Sequence, residues 1–251
     1  IMMILHFLGL MGRRIFVTLA SLLLVAFLSV TGIAVAEEAD VVQARPALWK
    51  VDNPNGEGHN YLLGSFHVLP PNYHWFEGVL KKSFDGSDEL ILETEMTPEA
   101  VAQIQSTFIQ NGFFTDGDSL KNHLDDAHYQ KMLAYAAKLM GQNEAAAQKA
   151  KPWFMAIQLS IISIMSNGMD PNSGVDKSLE DQAHRAGKAL SGLETPKEQM
   201  TALIDHPLHV QSAMLTDTLD KLDGFRAYMN SYLEAWASGD AEKIGETMVQ
   251  D

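Results

Sequence analysis

Three short stretches of the chain carry side chains able to do chemistry, and each reads as the point where a strand gives way to a loop. The first is Gly64-Ser65-Phe66-His67. Gly64 lets the backbone turn sharply, and His67 is then projected from a strand end as a metal ligand or an acid/base. The second is Glu93-Thr94-Glu95. Strand alternation puts Glu93 and Glu95 on one side and Leu92 and Thr94 on the other. A carboxylate there, beside a histidine, can bind a metal or move a proton. The third is Gly192-Leu193-Glu194-Thr195, again glycine, acid and helix cap in succession. Each has a plainer alternative: a histidine satisfied by a local hydrogen bond, a solvated strand-end glutamate, or a charge favourable at a helix N-terminus.

Other polar groups are weaker candidates. Asp176, Glu180 and His184 are spaced i, i+4, i+8, which reads as a solvated stripe on one helix face. His206 and His209 are three apart, but Pro207 disfavours helix at His206. His123 and His128 diverge on a helix, and His59 and His74 fall in loops. The 13 methionines read as core filler. The chain contains no Gly-rich phosphate loop, G-x-S-x-G elbow or H-E-x-x-H pair.

The elements that must position these residues follow from pattern and caps. Ala47 to Val51 and Asn60 to Leu63 are predicted strands joined by a turn-rich segment from Asp52 to His59, hence a hairpin. Tyr73 to Phe84 suits a helix, and Glu89 to Leu92 a short buried strand. Thr97-Pro98-Glu99 starts a helix, with Thr as cap and Pro at the first helical position. Helices are further predicted over Asp125–Met140, Pro152–Met165 and Val175–Ala186, the last ended by Gly187. Lys188 to Ser191 reads as a strand. Thr195-Pro196-Lys197-Glu198 is a capping box opening more helix, including one from Ala235 to Gln250. Strands early, helices in the middle and a strand late predict an α/β fold, a mixed sheet with a large helical insertion.

Composition excludes several classes of function. The 251 residues include no cysteine, which rules out disulfides, thiolate zinc sites and a cysteine nucleophile. Formal net charge is −14. The segment before Glu37 holds two of the 18 basic residues and none of the 32 acidic ones, so the remainder falls to −16. Such a surface repels nucleic acid and anionic lipid, and accommodates a cationic substrate or a metal ion.

That N-terminal segment has the form of a secretory leader: Arg13-Arg14, an apolar run from Ile15 to Val30, and an Ala34-Val35-Ala36 cleavage site before Glu37-Glu38. Export to the periplasm or medium is expected, with cleavage after Ala36 and no stable membrane anchor afterwards. Met11 is the expected start, residues 1–10 being translated upstream sequence. The exported part, residues 37–251, reads as one domain.

These pieces, in this order, resemble the TraB/GumN family (the TraB/PrgY/GumN/Tiki group), which includes the animal Tiki proteases. The match runs through Leu48-Trp49-Lys50-Val51, then from Tyr61 to Pro71 around G-x-x-H, then the strand Glu89 to Glu93. It continues with Pro152-Trp153, Gly174-Val175-Asp176 with Leu179 and Ala183, Gly187-Lys188, and Gly192-Leu193-Glu194-Thr195 with Gln199. The resemblance implies a Tiki/TraB-like fold and a metal-dependent, peptidase-like hydrolase acting on a peptide. It implies His67 and Glu93 as ligands of a divalent metal, and Glu93 and Glu194 as catalytic carboxylates. The alternative on the same fold is a non-catalytic extracytoplasmic binding protein for a peptide or a metal-containing ligand; a structural exported domain ranks third. The family's second G-x-x-H, on a later strand, has no counterpart after Gly192. A member incomplete at its C-terminus, and weak or inactive as a catalyst, is therefore expected.

Overall fold

The computed structural model describes residues 2–5 and 40–249. The expected leader and its cleavage point after Ala36 lie outside the described residues. In chain order the strands are β1 (Met2–Leu5), β2 (Val42–Gln43), β3 (Leu48–Asp52), β4 (His59–Gly64), β5 (Tyr73–His74), β6 (Glu89–Leu92) and β7 (Ala189–Gly192). The helices are α1 (Gly78–Asp85), α2 (Pro98–Asn111), α3 (Asp126–Met140), α4 (Glu144–Ala147), α5 (Pro152–Ser166), α6 (Val175–Ala186), α7 (Pro196–Ile204), α8 (Leu208–Leu222), α9 (Phe225–Ser238) and α10 (Ala241–Val249).

The main sheet has the order β3-β4-β1-β6-β7. β3 and β4 form the expected antiparallel hairpin, with Leu48 opposite Leu63. All the other pairings are parallel. The C-terminal ends of β4, β6 and β7 therefore share one edge, where open α/β sheets place their sites. Leu63, Leu90 and Leu92 are buried, each worth roughly 1.5–3 kcal/mol for leaving water. The insertion α2–α6 between β6 and β7 makes the fold α/β with a large helical insert, as the sequence pattern implies. β1 is additional to the predicted strands: Met2–Leu5 pairs with Tyr61–Gly64 on one side and with Leu90–Ile91 on the other.

Two cores meet at α5. One is helical and gathers α2, α3, α5, α7 and α8 around Trp153, Tyr129 and Leu219. The other lies on the sheet and joins Leu63 and Leu90 to α1, α6 and α9. Ten of the 15 residues of α5 are buried, so this helix is enclosed on most sides. Most of them belong to the helical core, but Ile164 belongs to the sheet core. Trp153 packs edge-on against Phe108, with ring centroids 5.0 Å apart. No helix among the described residues is long and apolar enough to cross a membrane.

The caps act where the sequence places them. Thr97 accepts from the Ala100 N–H, and Thr195 and Glu198 complete a capping box; Asp125, expected as the first helical residue, is instead the cap of α3 and accepts from the His128 N–H. Two helix expectations need correction. Tyr73–Phe84 is not one helix: Tyr73 and His74 pair with Val42 and Gln43 as strand, and helix starts only at Gly78. The ladder with β2 and the burial of Trp75 against Trp236 outweigh local helical preference. The predicted helix from Ala235 to Gln250 is broken at Gly239, which has φ of 70°. A β-carbon there would lie 2.2 Å from the Arg45 carbonyl oxygen. The approach of residue 45 ends α9, and α10 starts two residues later.

Candidate functional site

His67 is mounted from three directions. At the end of β4 the Gly64 carbonyl accepts the indole N–H of Trp236 from α9, at 2.9 Å. Phe66 packs against the same indole, and its carbonyl accepts the Val175 N–H at 2.8 Å. Gly174, just before α6, presses on the His67 backbone so closely that an added β-carbon would be 2.0 Å from the His67 oxygen. The Ser65–His67 loop is thus clamped onto the first turn of α6, and that turn carries Asp176.

The side chains then meet. His67 Nδ1 lies 2.7 Å from Asp176 Oδ2, and His67 Nε2 lies 3.8 Å from Glu93 Oε2. The Ser65 hydroxyl donates to the same Asp176 oxygen. Glu93 follows the last residue of β6, and Gln199 of α7 donates to its Oε2 at 3.5 Å. The exits of β6 and β7 are tied together: the Leu193 and Glu194 N–H groups donate to the Leu92 and Glu93 carbonyls at 2.9 and 2.8 Å. The side chains of His67, Glu93 and Asp176 are only 10%, 15% and 19% exposed, so the charges interact in a partly dehydrated setting.

Burial pushes Glu93 up to about 7; the His67 charge opposes this, while Asp176 and Glu194 add to it. For His67 burial acts downward, but the Asp176 charge and hydrogen bond, with Glu93 behind them, leave its pKa raised. For Asp176 burial acts upward and is outweighed by the His67 charge and by hydrogen bonds from His67 and Ser65, leaving it lowered. An ionised aspartate, an imidazole that favours its cation and a glutamate that titrates near neutrality are thus set side by side. Carboxylates separated in this way by environment divide into proton carrier and fixed charge.

The sequence candidates sort accordingly. His67 and Glu93 come together, and Glu194 lies at the same edge, exposed but close enough to raise the Glu93 pKa. Glu95 does not share a strand face with Glu93, because β6 ends at Leu92. It lines an open cleft with Glu99, Glu194 and Glu198. The solvated-stripe reading of α6 is corrected: Asp176 faces His67, and Glu180 is 8% exposed and accepts the Met96 backbone N–H. Only His184 remains exposed. Among the outlying histidines, His123 pairs with Asp118, and His128 bridges Asp125 and Asp220. His206 precedes α8, and its carbonyl accepts from Gln211. Sequence reasoning did not place Asp176, Ser65 or Gln199 beside His67 and Glu93. The available signal for Asp176 was its place one residue after a glycine-headed helix start.

The profile of the TraB/PrgY/gumN family matches residues 47–251. The chain belongs to this family. No curated protein and no solved structure matches it. In this TraB/PrgY/gumN chain the matched region contains all of His67, Glu93, Asp176, Glu194 and Gln199.

A divalent metal fits the pair in kind but not in number. Imidazole and carboxylate are suitable donors, and a carboxylate on the far ring nitrogen, as Asp176 is, recurs behind metal-bound histidines. His67 and Glu93 supply two donors, whereas protein metal sites usually have three or more. No group of three His, Asp or Glu side chains placed to hold a metal occurs among the described residues.

Proposed function

We propose that this TraB/PrgY/gumN chain is an exported, peptidase-like hydrolase working at the His67–Glu93 pair. The observation that carries the reading is a partly buried glutamate 3.8 Å from a histidine that is itself held by an aspartate at 2.7 Å, in a setting whose burial pushes the glutamate up to about 7. A group that titrates near the working pH accepts and returns a proton with least cost. Glu93 is the proton carrier: it takes the proton from the attacking water and returns it to the leaving amine. His67 is the charged partner that holds Glu93 in its ionised form before attack. Gln199 orients the Glu93 carboxyl group, and Glu194 at the mouth favours a substrate with positive charge nearby.

The second reading, a binding protein without turnover, is favoured by the shortage of metal donors among the described residues. A single set of measurements separates the two. Wild type, H67A and E93Q are incubated with a peptide library, with Zn²⁺ or Mn²⁺ and with chelator. Hydrolysis lost in both variants supports the hydrolase. Peptide or metal binding without any cleavage, weakened by H67A, supports the binding protein.

A further inference from the structure

We propose that Asp176 is a positioning residue that fixes the tautomer of His67 and so decides what Nε2 presents to Glu93. The inference rests on reading His67–Glu93 as the working pair. Asp176 Oδ2 lies 2.7 Å from His67 Nδ1, a hydrogen-bonding distance. An ionised carboxylate only accepts, so Nδ1 must carry the hydrogen. Nε2, the nitrogen on the Glu93 side, is then the one that offers a lone pair or takes up a proton.

The mount makes this choice firm. The Ser65 hydroxyl donates to the same carboxylate oxygen, so that oxygen is approached by two donors. Asp176 occupies the first turn of α6, where the helix end favours negative charge. The Gly174 contact and the Val175 N–H bond to Phe66 lock that turn to the loop carrying both Ser65 and His67. Ring and carboxylate thus cannot drift apart without breaking the clamp. The Asp176 charge also bears on Glu93, but its hydrogen bond is to His67 Nδ1, so its hold on the tautomer is exerted on the ring itself.

The test is nitrogen NMR of the histidine rings in ¹⁵N-labelled protein at alkaline pH, where the ring is neutral, with H67A used to assign the signal. The wild type should show one tautomer, protonated at Nδ1. D176N, which keeps the shape but can also donate, should shift His67 to the other tautomer or to a mixture while thermal unfolding stays cooperative. D176E, whose carboxylate can only accept, should recover the Nδ1–H tautomer at least in part. If D176N does not fold, the wild-type spectrum decides. An Nε2–H tautomer in the wild type, or an unchanged tautomer in folded D176N, overturns the proposal. Correct tautomers in a chain that cleaves nothing would leave this inference standing and remove the hydrolase reading instead.

Discussion

Gly174 and His67 touch through backbone alone: a β-carbon on Gly174 would lie 2.0 Å from the His67 carbonyl oxygen and 2.5 Å from its carbonyl carbon. Neither contact involves a side chain that could swing away. Gly174→Ala must therefore push the His67 loop off α6. Overpacking of this kind costs typically about 1–3 kcal/mol, and here it also lengthens the Asp176–His67 contact. We expect lower thermal stability together with loss of the Nδ1–H tautomer. A Gly174→Ala protein as stable as wild type would show that the clamp is softer than the geometry states.

Trp236 links the far end of the chain to the same loop. Its indole N–H is bonded to the Gly64 carbonyl, and its ring is 2% exposed. Trp236→Phe keeps most of the apolar contact and removes the donor, leaving a carbonyl short of its partner at a cost of about 1–3 kcal/mol. Chemical denaturation should show that loss with an unchanged slope. Trp236→Phe as stable as wild type would mean water replaces the indole at Gly64.

Much of this arrangement was legible in the sequence, because strand ends and caps are local. Thr97 and Thr195 cap the helices they announce, and Val175–Ala186 has the expected bounds. Glu93 and His67 were readable as candidates because each closely follows a strand of one parallel set. Asp176 was not, because its partner is more than a hundred residues away and helical spacing alone cannot say which face is buried. The break at Gly239 was hidden for the same reason: the atom that forbids a side chain there belongs to Arg45. Tyr73 and His74 were read as helix because their two-residue ladder with Val42 and Gln43 is too short to leave a pattern.

Stability should depend on pH through Glu93 in a definite direction. Its folded pKa is about 7 against an ordinary 4.5, so the folded state keeps this proton where the unfolded state has lost it. The cost of ionising Glu93 in the folded chain is absent below the ordinary value, grows between the two values and is complete above the higher one. E93Q never ionises. Its stability relative to wild type should therefore rise with pH across that interval and level off above it. Losing the attraction to His67 subtracts from the gain but does not reverse it, burial being the larger influence. Urea unfolding of both proteins across the interval measures this, and a difference independent of pH refutes it.

The last prediction concerns β1. We propose that Arg13 to Ala36 is a leader, in which case a chain cut after Ala36 begins at Glu37. In the fold, Met2–Leu5 lies between β4 and β6, with register partners on both sides. A start at Met11, or cleavage after Ala36, would each remove this strand. The strand ends that carry His67 and Glu93 flank it, so its removal acts directly on the strands that hold the site. Each ladder bond lost contributes about 0.5–1.5 kcal/mol net, and a deficit of about 2 kcal/mol would lower Tm by roughly 4–8 °C in a chain of this size. Two purified proteins decide it, residues 1–251 and 37–251, compared by thermal unfolding and by the His67 ring spectrum. We expect the shorter protein to melt earlier and its His67 signal to broaden. N-terminal sequencing of exported material should read Glu37-Glu38; an N-terminus before Arg13 would sink the leader. Equal melting and identical spectra would show that β4 and β6 hold the site without Met2–Leu5 between them.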